Sequence, residues 1–210
     1  MYEIILYDTE DGRCPVQELL DSLEPKLLAK TLRTIDLLER NGPLLREPYS
    51  KALENGIFEL RTKQGSDITR VLYFFVIGKK AILTNGFVKK SQKTPKVEKE
   101  LAKNIRQTMN GGMAMSSYKA YKQKALQNPE VKAEYDALQP EYDIIQAMIN
   151  ARVQQNMTQK DLSAKTGITQ ADISRIESGT RNPSLSMVKK LAQGLGMQLK
   201  LEFIPISTKK

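Results

Sequence analysis

At residues 110–113 the chain reads Asn-Gly-Gly-Met, and its patterning changes there. Before this point, helical spacings are mixed with short runs of β-branched and aromatic residues separated by turn signals; after it, the pattern is helical nearly throughout. Two adjacent glycines suit neither a strand nor a helix interior. The stretch that follows, Met113-Ala-Met-Ser-Ser, has the form of a fresh chain start. A plain flexible loop explains the glycines; a junction of two formerly separate chains explains both features. The residues leave open whether the join is natural or engineered. The expected organisation is therefore a domain at 1–108, a junction at 109–117 and a second domain at 118–210. A chain of 210 residues suits two cores of about 100 residues each.

In the first half, residues 2–7 (Tyr-Glu-Ile-Ile-Leu-Tyr) suit a strand. Pro15 opens a helix with Val16, Leu19, Leu20 and Leu23 on one face, and Pro25 opens another with Leu28, Leu32, Ile35 and Leu38. Asn41-Gly42-Pro43 stops it. Residues 56–61, 69–77 and 81–88 read as three strands joined by short turns, an antiparallel meander. A charged helix follows Pro95. The expected fold is α+β, with helices packed against an antiparallel sheet. The second half is expected to be helical throughout, closing with one half-buried strand at 197–204, where apolar and polar residues alternate.

Composition narrows the chemistry. The formal net charge is +9, which favours a polyanionic partner such as nucleic acid. Histidine is absent and cysteine occurs once, as Cys14. That excludes histidine-based triads and bases, and leaves no ligand set for zinc. Neither a metal nor a cofactor is expected, and catalysis must run on Lys, Arg, Asp, Glu, Tyr, Ser or Thr. The N-terminus lacks the basic start of a signal peptide, and no apolar run approaches the roughly 20 residues of a membrane span. The expected location is the cytoplasm.

Residues 158–179 form two short helices around a tight turn. Thr158 with Asp161, and Thr169 with Asp172, have capping-box spacing. Gly167 sits where a left-handed residue is needed. Leu162, Ile168, Ile173 and Ile176 point inward, and Ala164 is small enough for close helix approach. This pattern closely resembles the Cro/repressor-type helix-turn-helix family, and the match continues through Arg181-Asn-Pro-Ser184. The resemblance implies that Gln170, Ala171, Ser174 and Arg175 read base edges in the major groove of operator DNA. It also implies that Gln159, Lys160, Arg181 and Asn182 hold phosphates. Such modules bind as dimers, so a homodimer is expected. The C-terminal strand is a candidate for dimer pairing or for packing within its own subunit.

The first domain resembles the phage-derived branch of the RelE/HigB toxins. The resemblance rests on Asp11-Gly-Arg-Cys-Pro15, Arg46-Glu-Pro48, Gly56-Ile-Phe-Glu-Leu-Arg61, Arg70-Val-Leu-Tyr-Phe74 and Gly86-Phe-Val-Lys-Lys-Ser-Gln-Lys-Thr-Pro95. Residues 128–154 resemble the HigA-like antitoxins that accompany this branch. The resemblance implies metal-independent mRNA cleavage, on the ribosome, by attack of a ribose 2′-OH on the adjacent phosphate. Candidate catalytic residues are Arg61, Arg70, Lys89, Lys90 and Lys93, with Arg70 matching the transition-state arginine and Lys90 or Lys93 serving as base or acid. Lys51 is a candidate for the RNA backbone, and Phe87 for base stacking or for the core. Many relatives carry histidine where Asn85 or Gly86 stands here. The expectation is thus a toxin–antitoxin module whose second half contacts and restrains the first. Two alternatives are a transcriptional regulator with an inactive toxin-like corepressor domain, and a gyrase poison of the ParE type.

Overall fold

The computed structural model describes residues 1–89, 93–109 and 115–203. The chain divides into two compact units, Met1–Asp143 and Ile144–Lys210, each described by itself. The packing boundary therefore falls downstream of the expected junction, because the first helices after the junction pack on the first domain. No helix among the described residues is long and apolar enough to cross a membrane.

The first unit opens with β1 (Glu3–Tyr7), α1 (Pro15–Asp21) and α2 (Pro25–Asn41). Proline begins both helices, at a position whose N–H has no intrahelical partner. α2 ends at Gly42, whose φ is 52° and whose hypothetical Cβ would lie 2.1 Å from the Tyr2 ring. Leu28, Leu32, Ile35 and Leu38 are buried along α2. Burying each such side chain contributes roughly 1.5–3 kcal/mol. Four strands follow: β2 (Ser50–Ala52), β3 (Phe58–Gln64), β4 (Asp67–Val76) and β5 (Lys80–Val88), then α3 (Lys96–Thr108).

The sheet order is β2-β3-β4-β5-β1, with β6 (Met115–Ser117) added beyond β1. β3, β4 and β5 form the expected antiparallel meander, and β2 extends it. β1 departs from the purely antiparallel expectation: it runs parallel to β5, so the sheet is mixed. The chain leaves β1 through two helices before returning, which permits a parallel neighbour, and β1 is apolar enough to be buried from Ile4 to Tyr7. β6 was not expected at all. Residues 110–114, which hold the Gly-Gly hinge and Met113, lie outside the described residues, but 115–117 pair antiparallel with β1 and cover its open edge.

α3 covers one sheet face over a core of Ile5, Tyr7, Ile57, Leu72, Phe74, Ile82, Ala102 and Ile105. α2 lies on the other face, where Thr31 Oγ1 is 3.3 Å from Thr69 Oγ1. Onto the outer side of α2 pack α4 (Tyr118–Ala125), α5 (Pro129–Ala137) and the start of α6 (Gln139–Gln154).

In the second unit, the remainder of α6 joins α7 (Gln159–Thr166), α8 (Gln170–Glu177) and α9 (Leu185–Gly194). Met148, Ala151, Leu162, Ile168, Ile173, Ile176, Leu191 and Leu195 form its core. Thr158 and Asp161 make a full capping box, and Gly167 is left-handed at φ 69°. Ala164, expected to permit close approach, is exposed. The tight contact lies at Gly194, where a Cβ would stand 2.3 Å from Thr166 Cγ2. The expected C-terminal strand is not formed over residues 197–203, and residue 204 lies outside the described residues. Among the described residues of this helical unit there is no other strand for it to pair with.

Candidate nucleic-acid interfaces

Strand register brings four predicted residues to one sheet face. Arg61 on β3 stands opposite Arg70 on β4, and Arg70 stands opposite Phe87 on β5. Lys51 on β2 stands opposite Glu59. Directly opposed residues share a face, and so do residues two apart on one strand. Lys51, Glu59, Arg61, Arg70 and Phe87 therefore line the face that carries α3.

Glu59 organises this row, and it was not among the predicted residues. Its side chain is fully buried. It accepts Arg61 Nε at 2.6 Å and Arg70 Nη1 at 2.8 Å, and also a hydrogen bond from the Thr94 hydroxyl. Arg70 Nη1 further donates to Thr94 Oγ1 at 2.7 Å. Burial pushes the Glu59 carboxyl up, but bonds from Thr94 and Arg61 and the charges of both arginines outweigh it and hold it below its ordinary value. A signal was present in Glu59-Leu-Arg61: a carboxylate two residues from an arginine on a buried strand must share its face and needs a partner.

The two arginines are unequal. The Arg70 side chain is only 7% exposed and that of Arg61 25%, so solute approaching this face meets more of Arg61. Phe87 is half-buried, neither sealed in the core nor open. Lys51 is exposed, Lys89 half-buried and Lys93 exposed; Lys90 lies outside the described residues. The backbone of Lys89 still extends the meander, donating to Ile68 O at 2.7 Å.

Asn85 and Gly86 are both committed to packing. Asn85 is buried, and its amide donates to Glu98 Oε2 at 2.6 Å, fastening α3 to the sheet. Gly86 has no room for a side chain: a Cβ there would lie 2.5 Å from Leu19 Cδ2 and 3.0 Å from Arg70 O.

In the second unit, Ile173 and Ile176 turn into the core while Gln170, Ala171 and Arg175 are exposed and Ser174 half-buried. Lys160, Arg181 and Asn182 are exposed as well. Gln159 is half-buried and donates to Glu177 Oε2 at 2.6 Å. Glu177, 1% exposed, also receives Arg152 Nε at 2.6 Å and Nη2 at 3.1 Å, and Arg152 Nη1 reaches Met157 O at 3.0 Å. This buried ion pair ties α6 to α8 and fixes where α7 begins. Asp172 accepts both Arg175 Nη1, at 3.5 Å, and Arg181 Nη1. The Thr169 hydroxyl and these two cations lower its carboxyl below the ordinary range. Sequence reasoning missed the Arg152–Glu177 pair and the bond from Arg181 to Asp172, because neither is a local spacing.

Residues 18–107 match the family described as phage derived protein Gp49-like, and residues 148–201 match the helix-turn-helix family. The chain is similar to an uncharacterized HTH-type transcriptional regulator of Sinorhizobium fredii, with 41% identity over 58 residues, 28% of this chain and 30% of that protein. It is similar also to an HTH-type transcriptional regulator of Haemophilus influenzae, with 36% identity over 66 residues, 31% of this chain and 65% of that protein. The chain thus spans less than two thirds of the length of either relative.

Proposed function

From a chain that joins a Gp49-like phage-derived domain to a helix-turn-helix domain, we propose a toxin–antitoxin pair in one polypeptide, acting in the cytoplasm. One observation carries it. Residues beyond the junction seal α2, while the row of Lys51, Arg61, Arg70 and Phe87 lies on the opposite sheet face. One chain then holds a cationic face suited to RNA and a segment that binds the domain bearing it.

In this reading the first domain is a ribosome-dependent mRNA endoribonuclease. The ribose 2′-oxygen bonds to the neighbouring phosphorus as a base takes its proton, and the bond to the 5′-oxygen breaks as an acid protonates the leaving oxygen. Arg61 and Arg70 stabilise charge on the phosphorane, Lys90 or Lys93 serves as base or acid, and Lys89 adds positive charge beside them. Lys51 holds the backbone, and Phe87 stacks a base. The second half restrains this activity and represses its own operon as a homodimer, pairing through residues 197–203, where Leu201 is 67% exposed. The test is growth of cells induced for residues 1–110, with and without residues 113–210 in trans. Arrest with new mRNA ends, rescued by the second half, supports the reading. Normal growth with a folded first half sinks it.

A second reading has its own observation. Asn85 and Gly86 are committed to packing, and Arg70 is nearly covered, which suits a retired toxin domain serving as corepressor. The growth experiment separates the two.

For DNA, Arg175→Ala in the full chain should relax base discrimination by about 1–3 kcal/mol at one position, whereas Lys160→Ala should weaken all duplexes alike and lower the salt slope by about one. Anisotropy titrations across salt concentrations, on upstream and scrambled duplexes, read both. An unchanged slope and unchanged discrimination would remove these residues from the interface.

A further inference from the structure

The outer side of α2 bears three charged residues, Lys30, Arg33 and Asp36, and all three are buried. Charged side chains are almost never buried unless paired. Here the partners come from the 118–142 segment of the same unit. Asp36 accepts both carboxylate bonds of Lys122 Nζ, at 2.8 and 2.7 Å. It also accepts the Tyr118 phenol at 3.1 Å and the Tyr135 phenol. One turn earlier, Arg33 donates from Nε at 3.0 Å and Nη2 at 2.6 Å to the Tyr135 carbonyl, and stacks 3.5 Å from that ring's centroid. Tyr135 lies in the last turn of α5, where carbonyls lack intrahelical donors and a cation is favoured. Tyr142 Oη lies 3.3 Å from both Thr34 Oγ1 and Lys30 O, and Tyr121 donates to Asp21 Oδ1 at 2.8 Å. Burial and the nearby Asp36 charge hold the Tyr118 and Tyr135 phenols well above their ordinary range, so they remain donors.

We propose that the outer face of α2 is a protein-recognition surface, that the partner it fits is a pair of short tyrosine-bearing helices, here residues 118–137, and that Asp36 and Arg33 select that partner. Selection is chemical. Asp36 requires a cation and two phenol donors at fixed places, and Arg33 requires a helix C-terminus under its guanidinium. A helix pair lacking these would leave a buried carboxylate and a buried guanidinium uncompensated, which repels the wrong partner more strongly than apolar contact would. The surface deepens the toxin–antitoxin reading by naming where restraint is applied, and the recognised helices end before the helix-turn-helix match begins at residue 148.

The test is hydrogen exchange on the full chain. Asp36→Ala should lower amide protection in α4 and α5 by about tenfold or more, while β4 and β5 keep theirs. Tyr135→Phe, which alters only the partner side, should move the same amides in the same direction by a smaller factor, and it carries the test if Asp36→Ala does not fold. Unchanged α4 and α5 protection in Tyr135→Phe, or an equal loss across the sheet, would overturn the proposal. Growth of cells making full-length Asp36→Ala is a separate readout. Lost protection without growth arrest would keep the recognition surface and remove the toxin activity.

Discussion

Glu59→Gln should lower the unfolding free energy of the full chain by about 3 kcal/mol, the low end of the range for breaking a buried ion pair because Arg61 is partly exposed. The substitution keeps the size of the side chain and removes its charge. Arg70, almost completely covered, then loses the charge of that carboxylate. Denaturant unfolding followed by a probe in the first unit measures the change. A shift below about 0.5 kcal/mol, ordinary for surface substitutions, would mean that the arginines are held by other contacts. The same carboxyl sets a pH dependence. Its folded value lies below the ordinary 4.5. Its contribution is therefore complete above that ordinary value and is lost as pH falls through the folded one. The stability difference between the wild-type chain and Glu59→Gln should be constant from neutral pH down to about 5 and shrink below it. A difference that stays constant into strong acid would show that folding does not shift the Glu59 carboxyl.

Arg70→Ala, and separately Arg61→Ala, should each reduce mRNA cleavage by residues 1–110 by about 10²–10³-fold, the usual effect of removing one preorganised donor to a charged transition state. Arg70→Lys should restore little, because an ammonium cannot offer a phosphate the planar pair of donors that a guanidinium does. Primer extension on cellular mRNA after induction gives the rates. The burial difference predicts a further contrast. Arg61→Ala leaves Glu59 bonded to Arg70 and Thr94 and should stay folded, so its loss of cleavage reads function directly. If Arg61→Ala cleaves at the wild-type rate while folded, this face does not bind the scissile phosphate.

Legibility followed locality. The helices after Pro15 and Pro25, the three-strand meander and the paired caps around Gly167 are signals confined to a few neighbouring residues, and they appear where the spacing placed them. β2 and β6 escaped notice because Ser-Lys-Ala and Met-Ser-Ser carry no strand propensity; each pairs only because a stronger strand offers it an edge. The alternation at 197–203 has the opposite character, a strand pattern with no edge to join among the described residues of its unit. Arg61 and Arg70 are candidates legible in the sequence, but their direct opposition across β3 and β4 depends on register, and register alone brings Glu59 between them.

What the residues determined by themselves was the glycine pair at the expected junction, the absence of histidine, the excess of positive charge and the two-helix motif at 158–179. Periodicity and composition suffice for these because each is read within one stretch of chain. Only the tertiary structure decided that the first helices after the junction belong with the first domain, that β1 lies parallel to β5, and that Glu59, Asp36 and Glu177 each hold cations from distant positions. A buried carboxylate declares its partner through three-dimensional proximity, and residues 36 and 122, or 152 and 177, carry no mark in sequence of the bond that burial forces them to make.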